Sequence, residues 1–112
     1  MTEFIVIYNA PKSAQDKCKN MSPDEMSKMM EAWMKWVENC GEHLVDMGSP
    51  LANGKRLDTT GSTSSSSEVR GYSIMQADNV AKIEELLKEN PHLGMGDGFH
   101  VEIHEKMPLP KC

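Results

Sequence analysis

Residues 3–9 read Glu3-Phe4-Ile5-Val6-Ile7-Tyr8-Asn9, and Ala10-Pro11 follows. The run is rich in β-branched and aromatic residues, which suit a pleated backbone, and the proline stops it. Apolar side chains occupy both parities: Phe4, Val6 and Tyr8 on one face, Ile5 and Ile7 on the other. A strand apolar on both faces belongs in the middle of a sheet, with each face covered.

Outward from this strand, residues 12–20 are polar and aperiodic and read as a loop. Ser22-Pro23-Asp24-Glu25 then marks a sharp helix start. Ser22 can cap, Pro23 suits the first helical position, and Glu25 stands three residues after the cap. Met26, Met29, Met30, Trp33, Val37 and Cys40 follow at helical spacing and are expected to face inward, with Met34 and Trp36 widening the apolar surface; Gly41 supplies the stop. This Met/Trp surface is expected to pack on a sheet. Its other use is as an adaptable ligand wall.

Residues 43–47 predict a short strand closed by Gly48-Ser49-Pro50, and 55–60 a weaker one. Gly61 to Ser67 is polar and low in complexity and reads as a mobile hairpin loop. Val69 to Ala77 is the returning strand. Asp78 is the expected cap of a second helix carrying Val80, Ile83, Leu86 and Leu87, which ends at Asn90-Pro91. In residues 99–105, Phe99, Val101 and Ile103 alternate with His100, Glu102 and His104, the pattern of a last strand.

The order is strand, helix, two or three strands, helix, strand. That is an α+β, ferredoxin-like βαββαβ domain spanning residues 1–112, with an antiparallel sheet and both helices on one face. The other face would be bare in a monomer, so the pattern predicts a homodimer through the open sheet face, forming a dimeric α/β barrel.

Composition narrows the functions. The chain has 112 residues, 38% hydrophobic and 26% charged, which is one globular domain. The longest apolar run, Phe4 to Tyr8, is far short of the roughly 20 residues of a membrane span, and the N-terminus lacks the pattern of a secretory signal. Net charge is −5. Residues 1–56 hold seven Lys/Arg and eight Asp/Glu, and residues 57–112 hold five and nine. With no basic cluster in either half, neither nucleic acid nor an anionic membrane surface is an expected partner. Cys18, Cys40 and Cys112 are odd in number and poorly spaced for a disulfide framework or a zinc site. They read as reduced thiols in a cytoplasmic protein.

Several segments together resemble the YCII-related (DGPF-type) family. They are Met21-Ser22-Pro23-Asp24-Glu25-Met26 with its Trp-bearing helix, Leu44-Val45-Asp46-Met47-Gly48-Ser49-Pro50-Leu51, Gly71-Tyr72-Ser73-Ile74 with Ala77-Asp78, and Asn90-Pro91-His92-Leu93. The resemblance runs from Glu3 to about Glu105. It implies a ferredoxin-like protomer, a dimeric α/β barrel and a cleft between sheet and helices. Most members of that family have no established activity; some are thought to use a His–Asp pair for acid-base chemistry, and one branch is associated with dehalogenation of a hydroxylated aromatic. This chain departs from that branch: residues 21–36 contain no histidine, and only Asp46 stands in a matching segment.

Asp46, ending a strand, and His92, following a helix-ending proline, could form such a pair, the carboxylate orienting an imidazole near neutral pH. The competing reading gives Asp46 to the Gly48-Ser49-Pro50 turn and His92 to the helix end. Tyr72 and Ser49 are candidate polar groups of an apolar cleft walled by Trp33 and Trp36 and sized for a small aromatic or polyketide-like molecule. His100, Glu102 and His104 share a strand face at roughly 6.6 Å spacing and could ligate a divalent ion, against the reading of a solvated face. The balance is toward no metal and no cofactor. Gly94, Gly96 and Gly98 lack the strand-to-helix context and lysine of a phosphate loop. With no nucleophile beside a base, acyl transfer is disfavoured. Two functions follow. One is a small enzyme doing acid-base chemistry on a small organic molecule with Asp46, His92 and an assisting Tyr72. The other is a non-catalytic small-ligand-binding or accessory module using the same cleft.

Overall fold

The computed structural model describes residues 1–11 and 22–109. Strand β1 (Thr2–Asn9) leads to helix α1 (Pro23–Cys40), a short 3-10 turn (Gly41–His43) and strand β2 (Leu44–Asp46). Strands β3 (Lys55–Asp58) and β4 (Gly61–Ser64) form a separate hairpin. Strand β5 (Val69–Ala77), helix α2 (Val80–Leu87), a 3-10 turn (Pro91–Gly94) and strand β6 (His100–Glu105) complete the chain. The main sheet has the order β2-β5-β1-β6 and every neighbour is antiparallel. This is the split βαβ arrangement, with both helices on one face and the hairpin as an insertion.

β1 is central, as its double apolar parity requires. Phe4, Val6 and Tyr8 are buried beneath the helices with Met75 and Ala77 of β5, Trp36 and Cys40 of α1, and Ile83 and Leu87 of α2. Ile5 and Ile7 lie on the other face, half-buried, beside Ile74, Tyr72, His104 and Glu102.

The helix caps follow local chemistry. Ser22 Oγ accepts the Glu25 amide at 3.2 Å, Pro23 opens α1, and Gly41 ends it at φ +53°. Asn79, rather than Asp78, caps α2 through the Lys82 amide. Trp36 locks the helix pair, its indole Nε1–H donating to the Leu86 carbonyl at 2.9 Å.

Two further expectations are corrected. The inward face of α1 is Met29, Trp33, Trp36, Val37 and Cys40, whereas Met26, Met30 and Met34 form an outward stripe, each about half exposed. A helix lying on a sheet covers only a narrow stripe of itself, so its other methionines stay outside. Residues 61–64 are a strand pairing with β3, from Lys55 opposite Ser64 to Asp58 opposite Gly61. A fully exposed hairpin buries no face, so no hydrophobic alternation announces it. The expected loop over 12–20 and the thiols of Cys18 and Cys112 lie outside the described residues. Cys40 is buried and free, and burial pushes its thiol up to about 11. No helix among the described residues is long and apolar enough to cross a membrane.

Candidate functional site

At the Asn9 end of β1 the apolar layer under α1 is interrupted by buried polar side chains: Asn9, Ser73, Asn90 and His92, with the Tyr8 hydroxyl. Polar groups taken out of water need partners, and these have found them partly in one another and partly in nearby backbone carbonyls, Asn9 Nδ2 donating to the Ile7 carbonyl at 3.2 Å. Ser73 Oγ donates to the Met47 carbonyl at 2.7 Å. That spends its one proton, so the Tyr8 hydroxyl, 2.8 Å away, must donate to Ser73. Asn90 Nδ2 donates in turn to the Tyr8 oxygen at 3.5 Å. The result is a polarised row running from the turn after α2, across β1 and β5, to the segment after β2.

Backbone geometry makes room for it. Tyr8 stands opposite Gly71. A Cβ at Gly71 would lie 3.6 Å from the Tyr8 ring and 3.2 Å from the Ser49 carbonyl. Gly48 (φ +79°) passes so close to β5 that a Cβ there would overlap the Tyr72 carbonyl. These two glycines let the 48–50 segment close over the row.

His92 is buried at the Asn90 end of the row. Its Nε2 is 2.7 Å from the Asn9 carbonyl. A carbonyl only accepts, so Nε2 carries the proton. Its backbone amide donates to Asn90 Oδ1 at 2.9 Å. The ring packs against Tyr8 at 5.2 Å and Phe99 at 5.3 Å between centroids. Burial holds the imidazole below its ordinary pKa, against the opposing pull of backbone hydrogen bonding at Asn9 and His100. At neutral pH it is uncharged. Tyr8 is raised above its usual range, chiefly by burial, so its phenol stays protonated.

Asp46 is exposed at the end of β2, where its carboxylate accepts the Gly48 amide at 2.8 Å. It is next in sequence to Met47, whose carbonyl terminates the row, while His92 belongs to the other end. The two side chains have separate hydrogen-bond partners.

Trp33 meets Tyr8 edge-to-face at 5.4 Å and Trp36 at 5.7 Å, which puts both indoles on the helix side of the sheet. Tyr72 alternates with Gly71 and Ser73 and lies on the opposite side. Ser49 meets Tyr72 only through the backbone, its carbonyl accepting the Tyr72 amide at 3.3 Å. The structure therefore does not bring Tyr72 into one cleft with the tryptophans. Tyr8, Ser73 and Asn90 take that place. A serine at an inward position of an alternating strand, and an asparagine immediately before Pro91, were their signals in the sequence.

On β6, His104 Nε2–H donates to Glu102 Oε1 at 2.9 Å, while His100 Nδ1–H turns to the Gly98 carbonyl at 3.0 Å. Among the described residues no three His, Cys, Asp or Glu side chains converge on a metal position. A shallow groove of about 590 Å³ runs along the Met26, Met30 and Met34 stripe, on the side of α1 away from the polar row.

No protein-family model matches the chain, and no curated protein matches it. Among solved structures it is similar to 5-chloro-2-hydroxyhydroquinone dehydrochlorinase from Burkholderia phenoliruptrix in complex with 2,5-dihydroxybenzoquinone. The identity is 19%, with 91% of each chain covered and a TM-score of 0.49.

Proposed function

We propose that the protein is a homodimer that handles a small organic molecule between α1 and the sheet, with the neutral imidazole of His92 as its proton-transfer group. His92 is the observation that carries this reading. Its Nε2–H is fixed on the Asn9 carbonyl, its burial keeps it unprotonated at neutral pH, and aromatic rings pack beside it. In that tautomer Nδ1 is the basic atom. Tyr8 and Trp33 supply an aromatic wall, and Asp46 shapes the turn at the far end of the row. The order of the segments around Ser22, Asp46, Gly71 and His92 supports a place among the YCII-related proteins. The half-buried band of Ile5, Ile7, Tyr72 and Ile74 supports pairing of two open sheet faces into a dimeric α/β barrel.

The test is a small-molecule screen by NMR on the wild type and on His92→Gln, with sedimentation of both. Ligands should shift His92 and Trp33 in a dimeric wild type, and His92→Gln should leave any turnover at background. Ligand shifts confined to other surfaces would end this reading.

A second reading, a non-catalytic ligand-binding or accessory module, is favoured by the completeness of the row, since each hydroxyl in it already has a partner. It predicts that a bound ligand is recovered unchanged and that His92→Gln binds it as well as the wild type does.

A further inference from the structure

Arg70 has an unusual environment for a chain so rich in carboxylates. It lies at the start of β5, half-buried, on the sheet face opposite the helices. Its Nη1 donates to the Val69 carbonyl at 2.7 Å and to the Ser67 carbonyl at 3.2 Å. Two backbone acceptors on one nitrogen pin the guanidinium plane. The remaining edge is shielded from solvent, and neither Nε nor Nη2 has a hydrogen-bond partner among the described residues. No carboxylate among the described residues pairs with it; Glu3 is taken by Lys106 and Glu102 by His104.

The backbone that carries Arg70 is held on both sides. Its carbonyl accepts the Leu51 amide at 2.8 Å, Pro50 bridges to Gly71, and Val69 pairs with Asn9. Arg70 itself is the extra residue where the β1–β5 register shifts, between Gly71 opposite Tyr8 and Val69 opposite Asn9. Arginine keeps its charge at every accessible pH, and the paired Nε–H and Nη2–H form the fork that matches the two oxygens of a carboxylate or phosphate. A buried, charged donor pair without an acceptor is costly, and an oxyanion removes that cost in one step.

We infer that Arg70 is an oxyanion-binding residue, and that its Nε–Nη2 edge takes the carboxylate or phosphate group of a small anion at a site on the open sheet face, separate from the space between α1 and the sheet. The inference is independent of the small-molecule site between α1 and the sheet and of proton chemistry at His92. The same chemistry could come from a carboxylate of a second copy of the chain, and the experiment separates the two sources.

The full-length protein is titrated with inorganic phosphate and with acetate, following the Arg70 Nε–H and Gly71 amide resonances, with sedimentation of the same samples. Saturable shifts at both positions are expected. Arg70→Met should abolish the Gly71 shift, and Arg70→Lys should weaken binding roughly tenfold, because an ammonium cannot present the fork. Non-saturating changes with both anions, or an unaltered Gly71 shift in Arg70→Met, would overturn the assignment. If Arg70→Met turns a dimer into monomers while phosphate leaves the wild type unmoved, the acceptor is the second copy's carboxylate and the small-anion assignment falls. An ordinary His92 titration alongside saturable binding at Arg70 would sink the acid-base reading and leave this one standing.

Discussion

Tyr8 and Ser73 are joined hydroxyl to hydroxyl at 2.8 Å across the β1–β5 ladder, 65 positions apart in sequence. Their register is diagonal, Tyr8 standing opposite Gly71 and Ser73 opposite Val6. A Cβ at Gly71 would press on the Ser49 carbonyl at 3.2 Å and only touch the Tyr8 ring at 3.6 Å, so this glycine serves the close approach of the 48–50 segment. Ser73→Ala strands both the Met47 carbonyl and the Tyr8 hydroxyl and should cost about 1–3 kcal/mol, whereas Tyr8→Phe leaves Ser73 its carbonyl and should cost less. Urea denaturation of the two single variants and the double variant should show a coupling energy well above zero. Simple additivity would mean that the bond contributes little.

Gly48 is required on two grounds, its φ of +79° and the contact of any Cβ with the Tyr72 carbonyl. Gly48→Ala should lose more than about 3 kcal/mol or fail to fold, since strain and backbone overlap act together. Gly41→Ala, at φ +53° with open space around it, should be much milder. Equal thermal midpoints for the two variants would contradict the packing described.

The two sides of α1 should respond unequally. Trp36→Phe breaks the indole bond to Leu86 in a buried position and should cost about 1–3 kcal/mol. Met30→Ala, on the outward stripe, should change stability by no more than about 0.5 kcal/mol. Chemical denaturation of both variants checks this directly.

The pH dependence follows from the lowered pKa of His92. Above the unfolded value of about 6.5, both folded and unfolded chains hold the imidazole neutral. As pH falls below it, the unfolded chain takes up a proton that the folded one resists, so stability declines until the lower folded pKa is passed. His92→Gln should flatten this segment of the stability curve. Stability that instead rises on acidification through this window would mean that His92 is charged in the fold.

Much of this architecture was legible in the sequence wherever one physical signal dominated. Glu3 to Asn9 declared a central strand through its double parity, residues 69–77 a returning strand, and residues 99–105 a last strand through clean alternation. Ser22 and Gly41 marked the ends of α1. What escaped was whatever lacked a burial signal. The β3–β4 hairpin is polar and exposed, so its pairing leaves no apolar pattern. The methionines of α1 satisfy helical spacing whether or not anything covers them, and only the assembled sheet shows that Met26, Met30 and Met34 face outward. The polar row was hidden for a different reason. Tyr8, Ser73 and Asn90 lie on separate elements, and their contact depends on strand register. Asp46 and His92 stood out by residue type, yet local geometry gives the carboxylate to Gly48 and the imidazole to Asn9.

The measurement that bears most directly on the account is an NMR pH titration of the four histidines in the wild type and in Asp46→Asn. Burial and the Asn9 carbonyl, rather than the Asp46 carboxylate, set the state of His92. Its pKa should therefore lie below about 6.5 and stay there in the variant. A His92 that titrates at or above that value, or one that shifts clearly when Asp46 is neutralised, would contradict the assignment of a neutral, buried proton-transfer group at the end of the row.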